Sequence, residues 1–252
     1  MTHNSMRRAL ILGFGYSGKY LREALIARAF DVITTRRASE VGSIAFDLGQ
    51  RETWSSLPEA DFCFWMFPCE PKNLVESFLR ENVSKWGRVV CVGTTSSYLI
   101  DSEDSVVIEG SSLDLKDPRV LGEQVALGMG AMVVRSAGIY GPNRDPRRWV
   151  LDGRVGPSSK YVNFIHVQDL VQILMAAAQA GRQGATYLAA DGRPQRWDRL
   201  IEGWQKEFDL NLPSVCAQSR RSSKQIDSRA SLAELGVTLL FPDVQSGVRK
   251  LP

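Results

Sequence analysis

Cysteine and histidine are scarce in this 252-residue chain, with four of the first and two of the second. Cys63, Cys69, Cys91 and Cys216 have no paired ligand spacing, and two histidines without an acidic cluster leave no metal centre to expect. Three of the four cysteines lie in or beside apolar strand-like runs, so buried reduced thiols and a cytoplasmic setting are expected. Long apolar runs are missing: none approaches the ~20 residues that cross a bilayer. Met1 to Arg8 is polar and lacks the apolar core of a signal sequence. Charge of one sign does not accumulate either. Lys and Arg total 31 against 28 Asp and Glu, a net +3. The local cluster Arg220, Arg221 and Lys224 is not the basic stripe that a nucleic-acid groove needs. Neither nucleic acid nor membrane is therefore an expected partner. Internal repeats and low-complexity segments are also absent.

What is present is an ordinary globular composition, 44% hydrophobic and 23% charged, in a chain long enough for one α/β domain with an appended lobe. The first 140 residues alternate short apolar runs with amphipathic stretches, as βαβ units around a parallel sheet do. Strands are expected at Ala9 to Leu12, Asp31 to Thr35, Ser43 to Phe46, Phe62 to Phe67, Arg88 to Val92 and Met132 to Val134. Helices are expected at Lys19 to Ala29, Asn73 to Trp86 and Pro118 to Leu127, the last with proline in its first turn, where a missing N–H costs nothing. Residues 142–160, rich in Arg, Gly, Pro and Asp, read as loops with a short helix. A helix over Val167 to Ala180 and a strand over Thr186 to Ala190 return to the sheet. The expected architecture is a doubly wound Rossmann fold, mostly parallel, as one domain over residues 1–252. A small substrate lobe is drawn mainly from 142–165 and 192–252.

The strand ending at Leu12 runs into Gly13-Phe14-Gly15-Tyr16-Ser17-Gly18 and then a helix. Gly13 permits the tight turn, Gly15 lets backbone approach a pyrophosphate, and Gly18 allows the helix to pack closely on the strand. The amides of Tyr16, Ser17 and Gly18 at the helix N-terminus would face the phosphates. NAD sites usually carry an acid at the end of the second strand; here the segment is Thr34-Thr35-Arg36-Arg37. A carboxylate would repel a ribose phosphate, whereas a guanidinium grips it through two charge-assisted bonds. NADP is therefore the expected cofactor, with Arg36 first and Arg37 second as its phosphate ligands. Asp47, after the third strand, is a candidate for the adenine edge and equally for a turn or helix cap. Phe67, closing the fourth strand, joins the cofactor-side candidates.

Three further segments, Arg135-Ser136-Ala137-Gly138-Ile139-Tyr140-Gly141-Pro142, Asn163-Phe164-Ile165-His166-Val167-Gln168-Asp169-Leu170 and Glu234-Leu235-Gly236, follow the glycine loop in order. With that order and spacing the chain resembles the extended short-chain dehydrogenase/reductase (SDR) superfamily, or NAD-dependent epimerase/dehydratase family, as an atypical member. The resemblance implies an oxidoreductase or epimerase acting on a small polar or sugar-nucleotide-like substrate. It also implies a Ser or Thr after the fifth strand and a Tyr-x-x-x-Lys pair on the next helix. Thr95 matches the first, with Thr94 beside it near the cofactor. The pair is missing: Arg119 stands at the lysine position and Leu115 at the tyrosine position, and leucine transfers no proton. Arg119 remains a candidate for the ribose. The glycine pattern also departs, with Leu12 where the family's commoner first glycine falls.

Tyr98 and Tyr140 are the replacement acids to test, although packing is the plainer account of each. His166 tempts as a base but matches a structural family position, and Lys116 reads as an exposed lysine. Arg144, Arg147 and Arg148 are available for a phosphate or carboxylate on the substrate. The alternative to an enzyme is a non-catalytic NADP(H)-binding sensor or scaffold. Relatives often pair through two helices, one of them short here, so a homodimer and a monomer both stay open.

Overall fold

Alternation of buried strands with amphipathic helices becomes a seven-stranded sheet in the computed structural model, which describes residues 6–38, 40–100, 105–209 and 223–251. Cys216, Arg220 and Arg221 lie outside the described residues. The first half contains β1 (Arg8–Leu12), α1 (Tyr16–Ile26), β2 (Asp31–Arg36), β3 (Ser43–Ala45), β4 (Ala60–Trp65), α2 (Lys72–Asn82) and β5 (Trp86–Thr94). There follow β6 (Ser105–Val107), α3 (Pro118–Gly128), β7 (Met132–Ser136), β8 (Gly138–Tyr140), α4 (Pro146–Leu151), β9 (Tyr161–Val162) and β10 (Phe164–His166). The chain ends with α5 (Val167–Ala180), β11 (Thr186–Ala189), β12 (Gln195–Arg196), α6 (Trp197–Phe208), β13 (Lys224–Ile226), α7 (Arg229–Leu235) and α8 (Val244–Val248).

The main sheet runs β3-β2-β1-β4-β5-β7-β11, and its pairs are parallel throughout. Both faces are covered, as an all-parallel sheet requires. Ala9 and Ile11 of β1, with Phe62 and Phe64 of β4, pack beneath α1 and α5. Leu10, Leu12, Cys63 and Trp65 point to the opposite side and meet Val75, Phe78 and Leu79 of α2. The strand order turns outward in both directions from β1 and β4. A crevice therefore opens at their carboxyl ends, where open α/β sheets bind ligands.

A second core gathers Tyr140, Val150, Phe164, Leu200, Ile201, Trp204, Val244 and Val248 from elements that follow β7. Several boundaries depart from the sequence expectation. Helix α1 starts at Tyr16 rather than Lys19, because the last residues of the glycine loop form its first turn. Helix α2 ends at Asn82, since Val83–Lys85 make a 3₁₀ turn and the buried Trp86 already begins β5. Strand β6 had no sequence expectation; it pairs with β13, Ser105 against Lys224. Helix α7, expected in the lobe, instead packs on α5 and β11, with Leu232 and Leu235 in the main core.

Candidate functional site

The glycine loop owes its shape to local constraints. Gly13 has φ +87°, and a Cβ there would sit 2.8 Å from the Phe67 ring. Its amide donates to Thr35 Oγ1 at 3.0 Å, and the Phe14 amide donates to the Thr35 carbonyl at 2.9 Å. β2 thus holds the turn from the side. A Cβ on Gly18 would lie 3.3 Å from the Gly13 carbonyl, which shows how closely α1 approaches the strand end. Around Gly15 there is nothing within 4 Å. This glycine leaves room for something outside the protein's own packing. Gly15 is the N-cap of α1, no side chain caps the helix, and its first turn holds no acid. An uncapped, acid-free helix N-terminus favours an anion.

Beside the loop lies a cleft of about 720 Å³, lined by Gly13, Gly15, Arg36, Arg37, Asp47 and Phe67 among others. The Arg36 guanidinium rests 5.1 Å above the Phe14 ring and pairs with Glu40 at 2.9 Å. Arg37 is exposed at the cleft edge. The Asp47 carboxylate accepts from the Gly49 amide at 2.8 Å, so it makes the turn that the sequence offered as its other role. Phe67 packs at a tilt against the buried Phe46 and Trp65 rings and so forms an apolar wall. Met66, Glu70, Pro71, Leu48 and Leu74 also line the cleft. Their common property is position after strands or on the facing helix, which carries no local sequence signature.

β5 ends in a 3₁₀ turn over Thr95–Ser97. The Thr94 hydroxyl accepts from the Ser96 amide at 3.2 Å and so caps the turn, while Thr95 is 8% exposed. The stretch after Leu113 runs alongside, tied by a bridge between Tyr98 and Leu113 and by Asp114 N–H to the Ser97 carbonyl at 2.8 Å. Leu115 is 60% exposed there. Arg119 points its guanidinium at Asp117, with Nη2 to Oδ2 at 2.7 Å and Nε to Oδ1 at 2.9 Å. This pairing holds the Asp117 carboxyl below its ordinary range.

Deeper in the wall, Glu123 of α3 and Arg135 of β7 form an ion pair at 2.8 Å, 2% and 1% exposed. Arg135 also donates to the Tyr98 hydroxyl at 3.0 Å, which itself donates to the Glu109 carbonyl at 3.2 Å. Burial raises the Tyr98 pKa, against the lowering by Arg135. Tyr140 is fully buried, its hydroxyl 3.4 Å from the Asp243 carbonyl and closed over by Gly247. Burial raises its pKa as well, with the nearby Asp191 adding to the shift. Each hydroxyl is thus engaged by groups inside the fold, Arg135 and the Glu109 carbonyl for Tyr98 and the Asp243 carbonyl for Tyr140.

His166 accepts from the Gln168 amide as the cap of α5 and stacks on Phe241 at 3.6 Å. Burial, then Lys250, lowers its pKa to about 4, so it is neutral at physiological pH. Lys116 is exposed. Arg147 is bound to Asp145 and lies over Phe208. Arg144 and Arg148 line a separate polar cleft of about 780 Å³, with Arg144 over the Tyr16 ring. The structure therefore gathers Gly13, Gly15, Arg36, Arg37, Asp47 and Phe67 around one cleft. It sets Thr94 and Thr95 at the end of β5, and it places Tyr98 and Tyr140 in separate buried clusters.

No family model and no curated protein matches the sequence. Solved structures match along the whole chain. A functionally unknown conserved protein from Silicibacter pomeroyi DSS superposes with a TM-score of 0.79 at 22% identity, over 96% of this chain and 97% of that one. MoeE5, solved with UDP-glucose and NAD, gives 0.79 at 20% identity over 96% of each chain. The ADP-L-glycero-D-manno-heptose-6-epimerase of Helicobacter pylori gives 0.77 at 15% identity, over 97% and 94%.

Proposed function

We propose that this chain, which has the fold of the NAD-dependent epimerase/dehydratase and other SDR-like proteins, binds NADP(H) in the cleft beside Gly13–Gly18 and acts on a small polar, sugar-nucleotide-like substrate. The observation that carries the reading is the uncapped N-terminus of α1, open at Gly15 and flanked by Arg36 and Arg37. The amides of Tyr16, Ser17 and Gly18 hold the pyrophosphate. Arg36 and Arg37 take the ribose phosphate, Arg36 exchanging its Glu40 partner for a doubly charged one. Phe67 walls the cleft, and Asp47 supports the adenine end through the turn it closes. When bound, the dinucleotide supplies a hydride acceptor or donor. Thr94 shapes the end of β5, and the Thr95 hydroxyl orients the substrate oxygen. Arg119 reaches the nicotinamide-side ribose only by leaving Asp117. The fold neighbour solved with UDP-glucose and NAD supports both the cofactor class and the substrate class.

The test is a thermal-shift titration with NADPH, NADP, NADH and NAD. At ~100 times its dissociation constant a ligand adds ~2.7 kcal/mol, or a shift of several degrees. Stabilisation by the phosphorylated pair alone is the expected outcome, and equal shifts from all four would refute the Arg36 and Arg37 assignment. A second reading, a dinucleotide-binding sensor or scaffold without chemistry, draws on Leu115 and on the buried hydroxyls of Tyr98 and Tyr140. On that reading neither the parent nor Leu115→Tyr oxidises NADPH with any of a panel of sugar nucleotides and small carbonyl compounds. Turnover by the parent rejects it.

A further inference from the structure

Leu115 leaves the site without the family's phenol, and the two other candidate tyrosines are buried with their hydroxyls engaged inside the fold. The end of β5 nevertheless carries a proton-bearing group from a distant part of the chain. Lys224 Nζ donates to the Tyr98 carbonyl at 3.1 Å, across 126 residues of sequence. Tyr98 directly follows the Thr95–Ser97 turn, its amide 3.4 Å from the Thr95 carbonyl. The lysine's backbone is fixed from both sides by Asn163, whose Nδ2 donates to the Lys224 carbonyl and whose Oδ1 accepts from the Ile226 amide, both at 2.8 Å. The Asn163 carbonyl in turn accepts from the Gly138 amide at 3.0 Å, just beyond β7. Lys224 thus holds its ammonium at Tyr98, the residue that follows the Thr95–Ser97 turn and bridges to Leu113, two residues before Leu115.

The surroundings suit proton transfer. Among the described residues no carboxylate forms an ion pair with Lys224. β13 packs against β6 and β9. The ionisable groups on or next to those strands are Tyr98, Glu109, Lys160, Tyr161, Arg196 and Asp227, of which Arg196 pairs with Asp198 and Asp227 with Arg229. The Tyr98 hydroxyl is taken by Arg135 and the Glu109 carbonyl. The Glu109 carboxylate is bound to Ser231. Half-burial of the ammonium lowers the Lys224 pKa to about 8, so acid and base forms are both accessible near neutral pH, as efficient general acid–base catalysis requires. An arginine, by contrast, stays charged.

We propose that Lys224 is the proton donor and acceptor of this site, in place of the tyrosine that Leu115 replaces. The assignment rests on the dinucleotide reading above. In the reducing direction the substrate carbonyl carbon gains a hydride from a reduced nicotinamide dinucleotide, and the C=O π pair moves onto oxygen. That oxygen takes a proton from Lys224 Nζ, which breaks an N–H bond and forms the alcohol O–H. The oxidised dinucleotide and a neutral amine remain, and the amine regains its proton from water. Thr95 positions the carbonyl oxygen by hydrogen bonding.

Two measurements test this on the intact protein. Trinitrobenzenesulfonate labelling, read peptide by peptide across pH, needs no turnover. Lys224 should label with a midpoint near pH 8, and a midpoint in the ordinary lysine range overturns the proposal. In the second, NADPH oxidation with a panel of small aldehydes and ketones is compared for the parent, Lys224→Met and Lys224→Arg. Both variants should lose about 10²–10⁴ in kcat and the fall in rate above pH ~8, yet keep the NADPH-induced thermal shift. Arginine restores the contact to the Tyr98 carbonyl without a transferable proton, so recovery by Lys224→Arg would mark a structural role and overturn the assignment. Unchanged rates in Lys224→Met with the thermal shift retained overturn it alone, and turnover absent across the panel counts against it too. No NADPH shift in the parent overturns the dinucleotide reading and this proposal together.

Discussion

Replacing Glu123 with alanine removes one half of an ion pair that has almost no access to water. The pair is 2.8 Å long, and its side chains are 1% and 2% exposed. Burial raises the Glu123 pKa, and Arg135 opposes that shift. Without the carboxylate, Arg135 keeps its bond to the Tyr98 hydroxyl, yet its Nη2 already lacks a hydrogen-bond partner among the described residues. An uncompensated buried guanidinium costs about 3–5 kcal/mol. For a chain of this size each kcal/mol lowers Tm by about 2–4 °C, which places Glu123→Ala roughly 6–20 °C below the parent. The same geometry explains Gly93, where a Cβ would meet the Glu123 carboxylate. Differential scanning calorimetry of the parent, Glu123→Ala and the double variant Glu123→Leu/Arg135→Met provides the assay. Removing both charges should recover most of the loss, because the desolvation penalty disappears with the pair. A loss below ~1 kcal/mol in Glu123→Ala, or a double variant no better than the single one, would refute the reasoning.

Two further outcomes follow from the same structure. Gly13→Ala forces a left-handed φ on alanine and pushes its Cβ against Phe67, so it should cost about 1–3 kcal/mol and abolish the NADPH-induced thermal shift. A variant that binds NADPH like the parent would show that the loop tolerates a side chain. Asp191 is buried, with Oδ2 unpartnered among the described residues, and burial, opposed by the Arg193 amide, lifts its pKa from 3.8 to about 7. Because the folded form holds this proton more tightly than the unfolded chain, the associated stability is complete below pH ~4. It is lost as pH rises to 7, on the order of 4 kcal/mol. Urea titrations across that range should show Asp191→Asn with a flatter pH dependence than the parent; parallel curves would count against a raised pKa.

Much of the fold was legible because its signals are local. The uninterrupted apolar runs Ala9 to Leu12 and Phe62 to Phe67 already read as strands of a sheet covered on both faces, and in the structure adjacent residues of β1 and β4 do point into opposite cores. The glycine loop was readable for the same reason. A strand, three glycines and a helix start occupy a dozen consecutive residues, and Arg36 follows on the neighbouring strand. For Tyr98 and Tyr140 the sequence offered packing as the plainer account but could not name the partners. A tyrosine in a loop and a tyrosine in a core look alike in one dimension, and their hydroxyls are bound to groups remote in sequence, Arg135 and the Asp243 carbonyl. The β6–β13 pair was equally silent. Three-residue strands carry no periodicity, and their partners lie more than a hundred residues apart.

By itself, then, the sequence determined a doubly wound parallel sheet with an anion-ready turn after β1, because backbone stereochemistry and strand alternation act over a few neighbouring residues. Only the tertiary structure decided that Glu123 neutralises Arg135 and that the Lys224 ammonium reaches the Tyr98 carbonyl. Those pairings depend on desolvation and on distances of about 3 Å between segments far apart in the chain, and neither quantity exists until the chain has folded.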